Sequence, residues 1–297
     1  MNRSASKHHN PAALDEGDTY DRTLEGRTLI MSGGSRGIGE AIAVQAARRG
    51  ANVAMIAKTT EPHPKLPGTI FTAAAAVEEA GGQALPIVGD VRDDESVADA
   101  VAQTVDRFGG VDIVVNNASA LDLTPTDQIS MKKYDLMQDI NARGAFLLSK
   151  TAIPHLRESP NAHILTLSPP IDLDPKWFAS IGTAYTISKF SMSLVAIGLA
   201  AELAADGIAV NSLWPRTTIN TAAVRNILSA ELVDQSRTPA IMADAAMSIL
   251  TRPAAHATGR CFIDDEVLRA DGEVDLDQYR VAPGDGELEL DFWMSWD

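Results

Sequence analysis

Thr28-Leu29-Ile30-Met31-Ser32-Gly33-Gly34-Ser35-Arg36-Gly37-Ile38-Gly39, continued by Glu40-Ala41-Ile42-Ala43, is the stretch on which the fold is read. Thr28 to Met31 is an apolar run of strand length, and Ile38, Ile42 and Ala46 recur at helical spacing up to Gly50. The glycines therefore occupy a strand-to-helix turn. Gly33, Gly37 and Gly39 give the backbone freedom and allow close approach, while the first free N–H groups of the following helix would face an anion lodged at its N-terminus. Their spacing is Gly-xxx-Gly-x-Gly rather than Gly-x-Gly-x-x-Gly. Such a turn is built to hold phosphate.

Outward from that turn, strand-like and helix-like segments alternate without a linker-like break from Leu24 to Ile263, so residues 23–263 read as one α/β domain. With 297 residues, 45% of them hydrophobic, the chain can bury a large core. Residues 1–22 are polar, lack the apolar stretch of a signal peptide and are expected to form a mobile tail. The formal charge is 25 − 40 = −15, which argues against a nucleic-acid or anionic-membrane partner. Residues 264–297 hold twelve acidic and two basic residues and carry most of that charge. No apolar run reaches membrane-spanning length, and no group of ligand-type residues points to a metal site. Cys261 is the single cysteine, which excludes an internal disulfide and suits a reducing, cytoplasmic compartment.

Ala51 to Ala57 is the second strand, and the residue at its end decides which dinucleotide the turn would suit. A carboxylate there bonds a ribose 2′-hydroxyl, whereas a 2′-phosphate wants a cation. This chain has Ala57 and Lys58, and Arg36 lies on the same side, so the pattern favours NADP(H) over NAD(H). Three prolines make Thr59 to Gly68 a stiffened loop, on which His63 and Lys65 read as surface. The third strand, Ala84 to Val88, delivers Gly89-Asp90-Val91, where Asp90 could accept from an adenine amino group. Helix Glu95 to Phe108 and strand Val111 to Val115 follow, and the strand runs into Asn116-Asn117-Ala118-Ser119; Asn116 is expected mainly to brace the sheet.

Met131 to Leu156 reads as helix interrupted near Asp139 to Ala142, with Asn141 there because its side chain is used. A fifth strand, His163 to Leu167, ends in Ser168-Pro169-Pro170. Ile171 to Thr183 carries Leu173, Trp177, Phe178 and Ile181 in what reads as a loop, either docked on the core or forming the wall of a lipophilic pocket. Tyr185-Thr186-Ile187-Ser188-Lys189 then opens a helix to about Ala205, placing Tyr185 and Lys189 on one face, one turn apart. Ile208 to Leu213 is the sixth strand, helices cover Ala222 to Leu232 and Ala240 to Leu250, and Arg260 to Ile263 closes the sheet as the seventh. The last residues, Leu288 to Trp296, are too apolar to stay solvated, so the acidic extension is expected to dock on the domain or on a neighbouring subunit.

Taken in order, the glycine turn, Asp90, Asn116-Asn117-Ala118, Asn141 and Tyr185-xxx-Lys189 resemble the short-chain dehydrogenase/reductase family over Leu24 to about Ile263. Lys58 to Ile70, Ser168-Pro169-Pro170 and Trp214-Pro215-Arg216-Thr217 resemble its hydroxysteroid dehydrogenase-like subgroup, whose members often carry a sterol-carrier domain after the reductase; here the reductase domain alone is expected. The resemblance implies a doubly wound Rossmann domain with a seven-stranded, mainly parallel sheet and helices on both faces. It implies a cofactor held by Gly33, Ser35, Arg36, Gly37, Ile38, Gly39, Lys58, Asp90, Val91, Asn117, Ala118, Tyr185, Lys189, Pro215 and Ile219. Tyr185 would exchange a proton with the substrate oxygen, Lys189 would hold the nicotinamide ribose and lower the tyrosine pKa, and Asn141 would hold a water linking Lys189 to solvent. A homodimer or homotetramer built on the long helices is implied as well.

Three departures accompany the resemblance. The family's catalytic serine usually lies about thirteen residues before the tyrosine, whereas Ser168 lies seventeen before Tyr185, and Pro169 fills the aligned position. Either a lengthened loop brings Ser168 into the role or the substrate oxygen relies on Tyr185 alone. Ser119 stands where the family has glycine after Asn117-Ala118, and Arg216 stands where it has glycine after Pro215. The reading is an NADP(H)-dependent oxidoreductase acting on a lipophilic alcohol or ketone, steroid-like or fatty-acyl-like. Two alternatives stand beside it: a nucleotide- or lipid-binding protein of the same fold with little redox activity, and another enzyme of that fold such as an enoyl reductase or dehydratase.

Overall fold

Seven strands form one wholly parallel sheet: β1 (Thr28–Ser32), β2 (Asn52–Ala57), β3 (Gln83–Val88), β4 (Ile113–Asn116), β5 (His163–Thr166), β6 (Ala209–Trp214) and β7 (Cys261–Ile263), in the spatial order β3-β2-β1-β4-β5-β6-β7. The computed structural model describes residues 23–62, 66–225 and 230–296. The 1–22 tail, His63, Lys65 and part of the helix read over Ala222 to Leu232 lie outside the described residues. Buried on both faces, the central strands are near-continuous runs of Val, Ile, Leu and Met, as a parallel sheet requires. Pro86 falls in β3, at the sheet edge, where its missing N–H costs no ladder bond.

Helices cover both faces. α1 (Gly37–Arg48), α2 (Ile70–Glu79) and α10 (Ala240–Leu250) bury one core cluster, joined by Val267 and Leu268 of α11 (Asp264–Ala270). α3 (Asp94–Phe108), α5 (Gly144–Leu156) and α7 (Thr183–Glu202) bury the other. Short helices α4 (Met131–Met137), α6 (Pro175–Ile181), α8 (Ala222–Arg225) and α9 (Ala230–Asp234) lie between them in the chain. α7 is long and apolar enough to cross a membrane by length and composition, but 61% of its apolar window is buried inside the protein, which makes it a core helix.

Two segments differ from their sequence reading. Ile171 to Thr183 is not a loop: Asp174 caps α6 by accepting from Lys176 N at 2.9 Å, with Pro175 in the first turn, where a missing N–H is harmless. Between α4 and α5 the chain stays helical but widens into a π turn, Gln138–Arg143, which contains Asn141. Strand order reverses between β1 and β4, and at that point the carboxyl ends of the strands open the crevice where open α/β sheets take ligands.

Candidate active site

The glycine turn forms the floor of that crevice. Asn117 Nδ2, at the end of β4, donates to Gly33 O at 2.7 Å and Ser32 O at 3.2 Å, while Ser32 Oγ accepts from Asn117 N at 3.2 Å and Ala118 N at 3.1 Å. The packing leaves no room for side chains: a Cβ on Gly39 would lie 2.5 Å from Asn117 Nδ2 and 2.6 Å from Gly33 O, and one on Gly33 2.8 Å from Ala118 Cα. Behind the turn, Asn116 Nδ2 donates to Ser149 Oγ at 2.9 Å and Thr166 Oγ1 at 3.3 Å, so this buried amide braces β4 against α5 and β5.

The Tyr–Lys pair enters from the start of α7. α6 stops at Gly182, whose φ of +95° suits glycine, and α7 restarts with Tyr185 and Lys189 both buried. Lys189 Nζ donates to Leu167 O at 2.6 Å and sits 4.8 Å from the Trp214 ring centroid. The tyrosine ring is covered by the C-terminal segment: Phe292 meets it edge-on at 6.4 Å between centroids, and Trp293 lies at 5.9 Å. Trp214 Nε1 donates to Phe292 O at 3.0 Å. Arg216, the residue in place of glycine, latches that segment. Its Nη1 donates to Ser295 O at 2.8 Å, its O accepts from Asp291 N at 3.0 Å, and its Nε bonds both oxygens of Asp265 at 2.8 Å.

Between turn and segment lies a cavity of about 260 Å³. Tyr185, Lys189, Ser119 and Asn117 line it beside Ile38, Pro215 and Ile219, with Leu121, Met242, Leu290 and Phe292 as apolar wall and Glu289 and Asp291 as carboxylates. Burial pulls the Lys189 ammonium down to about 7, with the charge of Asp291 opposing. Burial likewise pushes the Asp291 carboxyl up to about 7; the N–H of Phe292 and the Lys189 charge resist, and Asp264 adds to the rise. Tyr185 is pushed well above the ordinary phenol range by burial and then by Asp291, while a hydrogen bond with the Ser119 side chain draws it back. The net shift of the phenol is upward, opposite to the lowering expected from Lys189, because dehydration of the phenolate dominates.

The crevice brings Ile38, Asn117, Tyr185, Lys189, Pro215 and Ile219 together above the glycine turn. Other candidates stand elsewhere. Asn141 is not free to hold a water with its side chain: its amide accepts from Ala120 N at 2.7 Å and donates to Ala120 O at 3.0 Å and Ser188 Oγ at 2.9 Å. Ser168 is fully buried and does not line the cavity. Asp90 is committed to Arg92 at 2.7 Å and Lys58 at 2.8 Å, ion pairs that hold its carboxyl well below the usual range. Arg36 Nη2 donates to Gly68 O at 2.9 Å, Ser35 is buried, and Val91 packs into the second core cluster, 3.1 Å from a Cβ built on Gly144. Ala118 also packs against that cluster. None of Leu173, Trp177, Phe178 or Ile181 lines the cavity; the apolar wall comes instead from Leu121, Met242, Leu290 and Phe292.

A model of the short chain dehydrogenases matches residues 27–232. The chain belongs to the short-chain dehydrogenase family. This short-chain dehydrogenase is 54% identical over 261 residues to hydroxysteroid dehydrogenase-like protein 2 of Danio rerio, covering 88% of the chain and 62% of that protein. To the Homo sapiens protein of the same name it is 47% identical over 271 residues, covering 91% and 64%. The chain thus spans just over three-fifths of the length of these curated relatives. Among solved structures it is similar to a short chain dehydrogenase from Mycobacterium thermoresistibile, with a TM-score of 0.87 at 52% identity over 92% of this chain and 96% of that one. It is likewise similar to a structure from Xanthomonas campestris described as a dehydrogenase, with a TM-score of 0.88 at 52% identity over 92% and 99%. These likenesses put it with the hydroxysteroid dehydrogenase-like members, oxidoreductases that use a nicotinamide cofactor.

The residues of this short-chain dehydrogenase fit such a cofactor. α1 opens at Arg36 without a side-chain cap, so its first N–H groups are left for an anion, and the glycines bring backbone rather than side chains to that place. Ser119, Asp291 and Phe292 are among the contributors to the site that escape the sequence reading. Ser119 enters it only as a departure, and Asp291 and Phe292 only as part of an apolar chain end; their separation from Tyr185 along the chain hides the contact.

Proposed function

We propose that the chain is an NADP(H)-dependent oxidoreductase that interconverts a lipophilic ketone and its alcohol, steroid-like or fatty-acyl-like, with Tyr185 as general acid and base. One observation carries this reading: Tyr185 and Lys189 share a cavity of about 260 Å³ with Ile38 of the glycine turn and Asn117 at the end of β4, under an apolar wall of Leu121, Met242, Leu290 and Phe292. When bound, the reduced nicotinamide supplies a hydride to the carbonyl carbon. Tyr185 gives its proton to the carbonyl oxygen; its raised pKa keeps that proton in place until negative charge develops there. Lys189, fixed by Leu167 O, orients the ribose.

The preference for a 2′-phosphate rests on Lys58, whose side chain is 61% exposed, and on Arg36, with no carboxylate ending β2. Exposed Phe146 on α5 with Leu194 and Ile197 on α7 supports a homodimer or homotetramer. The reading is tested by following absorbance of the reduced cofactor across a carbonyl panel with both nicotinamides. Tyr185→Phe should lower turnover roughly 100- to 10,000-fold while the folded protein still binds NADPH, and unchanged turnover would refute it. Lys58→Asp should shift preference toward NADH; a constant ratio of the two cofactors would remove the ribose-pocket argument.

A further inference from the structure

Where the family carries its catalytic hydroxyl, at the end of β5, this chain has Pro169. Ser168 beside it does not substitute: its Oγ is buried, has no hydrogen-bond partner among the described residues and faces no part of the cavity lining. Pro169 is occupied in another way, its carbonyl accepting from Ser193 Oγ at 2.6 Å. A different hydroxyl does stand at the tyrosine. Ser119 lines the same cavity as Tyr185, and its side chain is the hydrogen-bonding group that favours the phenolate.

The loop on which Ser119 sits is fixed on both sides. Before it, Ala118 N donates to Ser32 Oγ at 3.1 Å; after it, the Asn141 amide grips Ala120 by both its N–H and its carbonyl. Asn141 is tied in turn to α7 by Ser188 Oγ at 2.9 Å, and that hydroxyl donates to Tyr185 O at 2.8 Å. Through the π turn, Asn141 thus locks the loop carrying Ser119 to the helix carrying Tyr185.

We propose that Ser119 is the catalytic hydroxyl of this site, supplying from the loop after β4 the hydrogen bond that Pro169 cannot supply from β5. The proposal rests on the assignment of Tyr185 made above. A carbonyl oxygen placed against the Tyr185 hydroxyl can accept from Ser119 as well. As hydride reaches the carbonyl carbon, the π pair moves onto oxygen, Tyr185 transfers its proton there and is left as phenolate, the carbonyl is reduced and the nicotinamide oxidised. Ser119 keeps its own proton throughout and donates a hydrogen bond, first to the developing oxyanion and then to the phenolate. Asn141 is a positioning residue that acts through Ser119.

The test uses the full chain with NADPH and phenanthrenequinone as carbonyl probe. Ser119→Ala should lower kcat about 100-fold with little change in the KM for NADPH, and Ser119→Thr should recover activity to within about ten-fold of the parent. Ser119→Ala with kcat unchanged, or Ser168→Ala costing more than Ser119→Ala, overturns the proposal. A second readout needs no turnover: with the ζ-carbon of tyrosine isotopically labelled, the Tyr185 resonance, assigned by its loss in Tyr185→Phe, should move in Ser119→Ala and return in Ser119→Thr. A resonance that does not move overturns the contact. Full activity in Tyr185→Phe would instead refute the functional assignment, leaving the resonance to decide whether Ser119 touches the phenol.

Discussion

The glycine turn after β1 and the C-terminal segment after α11 both contribute to one cavity, and they do so by different physics. The turn works through its own backbone: Gly33 and Gly39 permit contacts that a Cβ would block, and Asn117 completes them from the next strand. The C-terminal segment has no such local order. Trp293 holds a φ of +63°, a costly conformation for a bulky residue, and stays there because Tyr185, Phe190, Trp214 and Phe292 surround it and Arg216 anchors the chain two residues on. One side of the site is therefore encoded where it stands, while the other is held by residues from β6, α7 and α11. A segment as acidic as residues 264–297 would be taken for a solvated appendage on charge alone; yet Trp293 near its tip is buried, although Trp296 beyond it is exposed.

If the segment is part of the fold, truncating its tip should cost as much as truncating the core. Trp293→Ala is expected to destabilise by about 3–5 kcal/mol, in the range for large core aromatics, read as a drop in the urea midpoint; a loss below about 1 kcal/mol would restore the appendage view. The turn should be less costly to fold but more costly to use. Gly39→Ala overpacks against Asn117 and should cost about 1–3 kcal/mol, with NADPH affinity falling by more than stability accounts for in a fluorescence titration. Equal effects of both variants on stability and on cofactor binding would erase the contrast.

The smallest effect expected is a pH slope. Asp264 is fully buried, and burial pushes its carboxyl up to about 7, against bonds from the N–H groups of Arg216 and Asp265. A carboxyl whose folded pKa lies above its unfolded value near ~4 adds stability that is fully present below pH ~4 and is lost as pH rises to about 7. Asp264→Asn keeps an acceptor for both N–H groups and removes the titration. Its melting temperature should therefore gain on the parent as pH goes from 5 to 7; a constant gap across that range would show that Asp264 does not titrate there.

Much of the site is legible in the sequence because its parts are local. A strand, a glycine turn and a helix are contiguous from Thr28 to Arg48, and Tyr185 and Lys189 share one helix face, so periodicity alone places them. Local chemistry misleads where a side chain has a nearer partner. Asp90 is held by Arg92, and Asn141 serves the backbone of Ala120. Ile171 to Thr183 reads as a loop that either docks on the core or walls a pocket, yet Asp174 and Pro175 start a helix there, and its apolar residues dock: Ile181 is buried and Phe178 packs edge-on against Phe190.

By itself the sequence determined the α/β alternation, the glycine-rich turn from β1 into α1 and the Tyr–Lys spacing, since each depends on residues within one or two helical turns of one another. Only the tertiary structure decided what lies against the phenol. Ser119, Asp291 and Phe292 come from well-separated places in the chain, and burial, which moves the pKa values of Tyr185, Lys189 and Asp291, is a property of how those places pack together.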